Sequence, residues 1–202
     1  MIAIVDYGVG NLFSLKSSFA MIGQEVKVTS DRDEILASDR LILPGVGAFG
    51  DAAESLRKTG LDRAVLDFAA SGKPLMGICL GMQLLFEESA EYGVHRGLGL
   101  IPGRVVAMRG CVPEDLLIPH IGWNALHLTN PHPLMKYTKS GDCVYYVHSF
   151  YAETPAENVL AVSEYGVPVT GAVARGNVMG CQFHPEKSGK VGLDILRAFA
   201  EA

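Results

Sequence analysis

The sequence predicts an α/β fold: an open, mostly parallel central sheet flanked by helices, with extra antiparallel strands in the second half. Three observations carry this expectation. Short β-rich runs alternate with helix-compatible stretches in the first half. Apolar runs in the second half follow one another with only Gly, Pro or Asn between them. The chain closes on a segment whose apolar residues recur at helical spacing. With 202 residues, 49% hydrophobic and 19% charged, it can bury one sizeable core. Residues 1–202 are therefore expected to form a single domain.

Taken in order, "IAIVD" reads as a strand and residues 11 to 22 as a helix. "EVKVTS" precedes a helix over 31 to 38, "RLILP" one over 48 to 71, and "PLMGI" one over 81 to 89. Strand–helix alternation of this kind builds parallel sheets covered on both faces. "CVYYVHSFY", "NVLAVSEY", "VPVTGAVA" and "NVMGCQF" are the later strands, expected as hairpins and mixed pairings against the same core. In "SGKVGLDILRAFAEA", Val191, Leu193, Ile195, Leu196 and Phe199 fall near one helical face, so a terminal helix should cover the sheet. The long loop is expected between Arg109 and Pro119. There is no internal repeat, low-complexity tract or Pro-rich linker.

Composition narrows the function classes. A net charge of −5 gives no basic footprint for nucleic acid. The opening "MIAIVDYGVG" has no cationic leader and is too short for a membrane span, so it is expected to be the first strand of a protein that is not exported. Cys79, Cys111, Cys143 and Cys181 lie far apart, without the C-x-x-C pairs of zinc or redox sites. A reduced cytoplasmic location and no disulfide framework fit best.

The chemistry-bearing stretch is "GKPLMGICLGMQLLFEES", residues 72 to 89, where Cys79 stands between Gly77 and Gly81. Reading "KPLMGI" as a buried strand and "MQLLFEES" as a helix puts the thiol on a tight strand-to-helix turn, the geometry of a nucleophile elbow. A helix amino terminus favours the thiolate and can bring a cysteine from about 8.5 into roughly the 3.5 to 7.5 range. Free cysteines are more often buried packing residues, the reading kept for Cys111, Cys143 and Cys181. The double-glycine frame sets Cys79 apart as a nucleophile.

A nucleophile of this kind needs a base. Of the six histidines, His184 in "GCQFHPEKS" is best placed: an apolar strand ends there, Pro185 stops further pairing, and Glu186 could orient the ring. His148 in "YYVHSFY" is the rival, since it too ends an apolar strand. A second glycine turn, "LILPGVGAFGDA", is either an ordinary strand-to-helix loop or the source of an amide, from Val46 or Gly47, that pairs with Leu80 as an oxyanion hole. Each such donor is worth about 2.7 to 4 kcal/mol.

The Gly-x-Cys-x-Gly elbow, the Pro-Gly-x-Gly turn and the late His-Pro-Glu together resemble the class I glutamine amidotransferases. "DYGVGNLFSL" (6 to 15), "PGVGAFGDA" (44 to 52), "GICLGMQLLFEES" (77 to 89), "PHIGWN" (119 to 124), "YYVHSFY" (145 to 151) and "GCQFHPEKSG" (180 to 189) are similar, within that class, to the glutaminase subunits of imidazole glycerol phosphate synthases. "RGCVPEDLLIPH" matches least securely. The resemblance implies a flavodoxin-like fold and a triad of Cys79, His184 and Glu186, which decides against His148. It also implies an oxyanion hole at Gly47 and Leu80, and a glutamine pocket with Gln83, Glu91 and the backbone of Ser149 and Phe150. A carboxylate for the substrate's ammonium makes chemical sense of Glu91; without the resemblance, Gln83 and Glu91 would read as an exposed helical face.

The resemblance further implies a (β/α)₈-barrel synthase subunit as partner in a heterodimer, with L-glutamine as substrate and no cofactor or metal. The ammonia would go to the barrel, which makes imidazole glycerol phosphate and an aminoimidazole carboxamide ribotide. Asn11, Trp123 and Lys187 are the candidate docking residues. A glutaminase for another synthase, such as that for pyridoxal phosphate, is the nearest alternative. A cysteine peptidase or a flavodoxin-like binding module without chemistry stands further off.

Overall fold

Along the first strands, alternate side chains belong to two different cores, which is what a parallel sheet covered on both faces requires. The computed structural model describes residues 1–202. Strand β1 (Ile2–Val5) is followed by α1 (Leu12–Met21), β2 (Val26–Thr29), α2 (Arg32–Ala37) and β3 (Arg40–Leu43). Helices α3 (Phe49–Thr59) and α4 (Leu61–Ala70) precede β4 (Leu75–Ile78) and the one-turn helix α5 (Leu80–Gln83). Ala3, Val5, Leu41, Leu43 and Leu75 face a core shared with Ile35 and with α3 and α4. Ile2, Ile4, Ile42, Met76 and Ile78 face the other, shared with Leu15 and Phe19 of α1.

The second half adds β5 (Glu88–Ser89), β6 (His95–Arg96), β7 (Arg104–Ala107), β8 (His120–Ala125) and β9 (His127–Leu128). Then come β10 (Cys143–His148), β11 (Phe150–Glu153), β12 (Val159–Glu164), β13 (Pro168–Arg175), β14 (Val178–Cys181) and α6 (Gly189–Ala200). The central sheet runs β2-β1-β3-β4-β14-β13-β12-β9. Its β2, β1, β3, β4 and β14 pair in parallel, and β14, β13, β12 and β9 pair antiparallel. The expected mixed sheet is therefore present. Ile195, Leu196 and Phe199 of α6 are buried in the α1-side core, as the terminal periodicity requires, while Val191 and Leu193 are only half-buried.

Four details differ from the sequence reading. The helix expected over 48 to 71 is two, parted at Gly60, whose φ is +72°. The helix expected over 81 to 89 stops at Gln83, because the following carbonyls find partners far along the chain: Leu84 accepts from Leu98 N at 2.8 Å and Leu85 from Leu100 N at 2.8 Å. The run "CVYYVHSFY" is two strands of different small sheets, β10 paired with β8 and β11 with β7, and the break falls at Ser149. Cys181 is buried, but Cys111 and Cys143 are exposed, one lying in a loop and the other opening β10. All four thiols are free. No helix is long and apolar enough to cross a membrane.

Candidate active site

At the end of β4 the chain turns at Cys79 with φ +53° and ψ −113°, a conformation that costs a non-glycine residue energy and survives only where its surroundings impose it. Here they do. Cys79 N donates to the Cys181 carbonyl at 2.8 Å, and the Cys79 carbonyl accepts from Gln83 N at 3.1 Å. The flanking glycines are demanded by space: a Cβ on Gly77 would stand 2.6 Å from the Gly81 carbonyl oxygen, and one on Gly81 would run into the Leu43 carbonyl. The double-glycine frame is thus the condition for folding the elbow onto itself and against the end of β3. With only one helical turn behind it, the dipole contribution expected at Cys79 is small, since few aligned peptides feed it.

β14 lies beside β4, so the residues following Cys181 emerge next to the elbow. His184 N donates to the Tyr145 carbonyl at 2.9 Å, Ser188 Oγ donates to the His184 carbonyl at 2.6 Å, and a 3₁₀ turn over Pro185–Lys187 returns Glu186 to the ring. His184 Nδ1 is 2.8 Å from Glu186 Oε1, the two side chains only 3% and 2% exposed. Burial alone would push the imidazole down; the pull of the Cys79 sulfur and of the Glu186 carboxylate outweighs it and raises His184 to about 9. The ring is therefore an imidazolium at neutral pH. Burial pushes the neighbouring Cys181 thiol well up, reinforced by the charges of Glu186 and Cys79, so it stays neutral.

Cys79, His184, Gly47, Leu80, Gln83, Glu91, Ser149 and Phe150 all line one cavity of about 320 Å³, so these expected site residues converge although they come from separate stretches of the chain. Gly47 has φ +95°. The amides of Val46 and Gly47 are not used by any main-chain or side-chain acceptor. Glu91 Oε2 accepts from Phe49 N at 2.6 Å, which ties it to the first residue of α3. Gln83 Nε2 is engaged within the protein, donating to the Phe150 carbonyl and to Gln182 Oε1, both at 3.0 Å.

His148 also borders the cavity, but both of its ring nitrogens are in use. Nδ1 meets the Phe150 carbonyl and Nε2 meets His120 Nδ1, each at 2.9 Å. Burial first, then the charges of His120 and His184, push it down to about 4, against the raising effect of the Phe150 carbonyl. No carboxylate orients it, so the geometry favours His184. Gln182, fully buried, points Nε2 at Cys79 Sγ from 3.8 Å. Sequence reasoning missed it, though a polar residue inside the otherwise apolar "VMGCQF" was a usable signal. It also gave His120 and Tyr7 no role at the site.

The docking candidates are less uniform. Trp123 is 58% exposed and meets Tyr145 edge-to-face at 6.1 Å, with Lys187 Nζ 5.9 Å from the same Tyr145 ring. Asn11 is half-buried and caps α1, its Oδ1 accepting from Ser14 N at 3.4 Å.

A strained cysteine elbow beside a buried histidine–carboxylate pair, at the end of a parallel sheet, is the equipment of a thiol-dependent acyl-transfer enzyme. The family model described as "Glutamine amidotransferase class-I" matches residues 3–202, and the chain belongs to that family. Among its relatives, proteins named "Imidazole glycerol phosphate synthase subunit HisH" are similar over nearly their whole length. The one from Bacillus cereus strain G9842 is 51% identical over 199 residues, 98% of this chain and 93% of the relative. That from Wolinella succinogenes is 49% identical, covering 100% and 99%, and that from Listeria monocytogenes EGD-e 47%, covering 100% and 95%. Among solved structures, one described as a glutamine amidotransferase superposes with a TM-score of 0.77 at 20% identity over 100% of this chain and 98% of the other. PurLQS from Thermotoga maritima does so with 0.77 at 21%, over 99% and 97%. Likeness at this identity speaks for the fold.

Proposed function

We propose that residues 1–202 work as one glutaminase domain, the ammonia-producing subunit of an imidazole glycerol phosphate synthase, hydrolysing the side-chain amide of L-glutamine in the cytoplasm. The observation that carries the chemistry is the cavity in which Cys79 meets an imidazole held by Glu186. The choice of synthase rests on relatives 47 to 51% identical over nearly the whole chain.

In this reading the Cys79 sulfur attacks the carboxamide carbon, and the oxyanion forms against amides of the Gly45–Gly47 turn and of Leu80. Amide ion is a poor leaving group, so His184, protonated at neutral pH, gives its proton to the nitrogen as the C–N bond breaks and ammonia leaves. The neutral ring then takes a proton from water, which attacks the thioester to release glutamate and restore the thiolate–imidazolium pair. Glu91 receives the substrate ammonium, and the backbone at Ser149 and Phe150 holds its other end.

Ammonia released into bulk water would be protonated and lost as a nucleophile. Delivery requires a docked acceptor, here a (β/α)₈-barrel subunit forming imidazole glycerol phosphate and aminoimidazole carboxamide ribotide, in a heterodimer. The exposed Trp123, with Lys187 across Tyr145, is the docking patch favoured by its exposure and by its main-chain link to His184 through Tyr145. Asn11 caps α1 through Oδ1, which leaves its Nδ2 group for a partner contact.

The deciding experiment combines the chain with its barrel subunit. Cys79→Ala should abolish synthesis from glutamine and leave synthesis from added ammonium salt intact. Loss of both activities in an assembled complex would refute the reading.

A further inference from the structure

Tyr7 is a buried hydroxyl beside the site that the catalytic scheme leaves unused. It is 3% exposed, and its Oη donates to the Pro44 carbonyl at 2.6 Å, immediately before the Gly45–Gly47 turn. Its own carbonyl is fixed by Ser55 Oγ at 2.7 Å, so the residue is held from both ends. The crossing it occupies is tight. A Cβ on Gly45 would lie 2.7 Å from Gly81 N, 2.9 Å from Tyr7 Oη and 3.0 Å from Leu80 Cβ. The phenol therefore sits where the glycine turn touches the cysteine elbow. Further along the same loop, Gly10 backs the proline: a Cβ there would stand 3.1 Å from Pro44 Cβ. Burial, and the charge of Cys79, push the Tyr7 phenol far above its ordinary value, so it remains a hydrogen-bond donor at every working pH.

We propose that Tyr7 is a positioning residue for oxyanion stabilisation: by holding the Pro44 carbonyl it sets the Gly45–Gly47 turn against the elbow, so that amides from both turns converge on one point beside Cys79. The inference rests on the glutaminase reading above and names a residue that reading does not require. A peptide rotated away from the developing oxyanion loses its transition-state contact while glutamine still binds, so the loss falls on kcat.

The test is glutamine hydrolysis by the chain in complex with its barrel subunit, comparing wild type with Tyr7→Phe and Tyr7→Leu. Tyr7→Phe keeps the ring and removes only the hydroxyl. It should lower kcat by about 10- to 100-fold with KM changed less than about threefold, on the scale of a weakened oxyanion donor. Alkylation of Cys79 by iodoacetamide should keep its wild-type rate, because that reaction needs no oxyanion hole. Affinity for the γ-aldehyde analogue of glutamine, which forms a tetrahedral adduct on the thiol, should fall by the same factor as kcat, whereas affinity for glutamate should not. Wild-type kcat in Tyr7→Phe with loss only in Tyr7→Leu would mean that the ring merely packs, and the inference would be overturned. A parallel fall in alkylation and kcat would locate the damage at the elbow and overturn it too. If the wild-type complex consumed no glutamine, the glutaminase reading itself would fall; activity that is lost in Cys79→Ala but unchanged in Tyr7→Phe would remove this inference alone.

Discussion

His184 Nδ1 and Glu186 Oε1 stand 2.8 Å apart with both side chains closed to solvent. Only Pro185 separates them in sequence, yet the 3₁₀ turn it starts lets the carboxylate face back onto the ring it follows. That contact is part of why the imidazole titrates near 9 despite its burial, and it sets the form in which the site waits for substrate.

The pH profile follows from this pair. The proton that His184 must give to the leaving nitrogen is lost as pH rises through about 9, so kcat/KM should fall on that alkaline limb. Glu186→Gln should move the limb toward neutrality and lower kcat/KM by about 10²-fold or more, by analogy with other orienting carboxylates. The same proton bears on stability. The folded chain holds it more tightly than the unfolded chain, whose histidine titrates near 6.5, so the contribution is complete below 6.5 and disappears as pH rises through about 9. Urea unfolding across that window should show the decline in wild type and a smaller one in Glu186→Gln; equal slopes would contradict it.

Glu91 offers a separable effect. A carboxylate that meets the substrate ammonium in both ground and transition states contributes uniform binding, so Glu91→Gln should raise KM for glutamine with kcat largely kept. A charge-assisted hydrogen bond is worth about 1.5 to 3 kcal/mol, which corresponds to roughly 10- to 150-fold in KM. The amide oxygen can still accept from Phe49 N, the bond now made at 2.6 Å, so α3 should remain in place. Steady-state kinetics that put the loss in kcat instead would move Glu91 from substrate binding to the chemistry.

The elbow can be tested by a single methyl group. Because a Cβ on Gly81 would run into the Leu43 carbonyl, Gly81→Ala must push the elbow away from β3. Backbone overlap of this kind should cost about 1 to 3 kcal/mol or more in stability and remove measurable glutaminase activity. Thermal unfolding combined with Cys79 alkylation would read both effects, and a fully active, wild-type-stable Gly81→Ala would refute the account of the double-glycine frame.

Those glycines also show what the sequence made legible. Four parallel strands, the elbow and the His-Pro-Glu turn were readable because each signal is local: a β-rich run followed by a turn residue whose role does not depend on distant partners. The helix after Cys79 was over-read because "MQLLFEE" suits a helix, while the Gly97–Ile101 segment that captures the carbonyls of Leu84 to Glu87 lies beyond any local pattern. Strands β5 and β6, two residues each, exist only through their pairing with each other and of β5 with β7, too short to show as β-rich runs. Gln182 and Tyr7 carry their importance in contacts with residues 103 and 37 positions away, which a one-dimensional reading has no means of seeing.

The docking patch predicts a division between chemistry and coupling. Lys187 follows Glu186 directly, yet its Nζ sits over the Tyr145 ring, outside the cavity. Lys187→Ala should therefore leave the subunit's unstimulated glutamine turnover close to wild type. The acceleration produced when the barrel binds its own ligand should fall. Equal stimulation in the two proteins, measured with saturating barrel subunit, would exclude Lys187 from the coupling.

The two buried histidines near the cavity give the chain an acid sensitivity that the catalytic pair does not. A carbonyl can only accept, so His148 Nδ1 carries the hydrogen toward Phe150 and leaves Nε2 as a lone pair. His120 Nδ1 must then donate to it at 2.9 Å, and His120 Nε2 is left to accept from Asn124 Nδ2 at 3.4 Å. Every position in this chain is satisfied with both rings neutral, and an added proton on His148 Nε2 would set two N–H groups against each other. Burial accordingly pushes both histidines down to about 4. Between that value and 6.5 the unfolded chain binds protons that the folded chain refuses, so their contribution to stability is intact above 6.5 and is lost as pH falls toward 4. His120→Phe preserves the stacking on Tyr165 and Tyr146, now at ring distances of 4.0 and 4.8 Å, and removes one of the two titrating groups. Its unfolding free energy should therefore depend on pH less steeply than that of wild type, by about one proton per molecule between pH 6 and 4.5. Urea titrations of the two proteins across that interval measure the difference, and parallel curves would mean that His120 takes up its proton in the folded chain as readily as in the unfolded one.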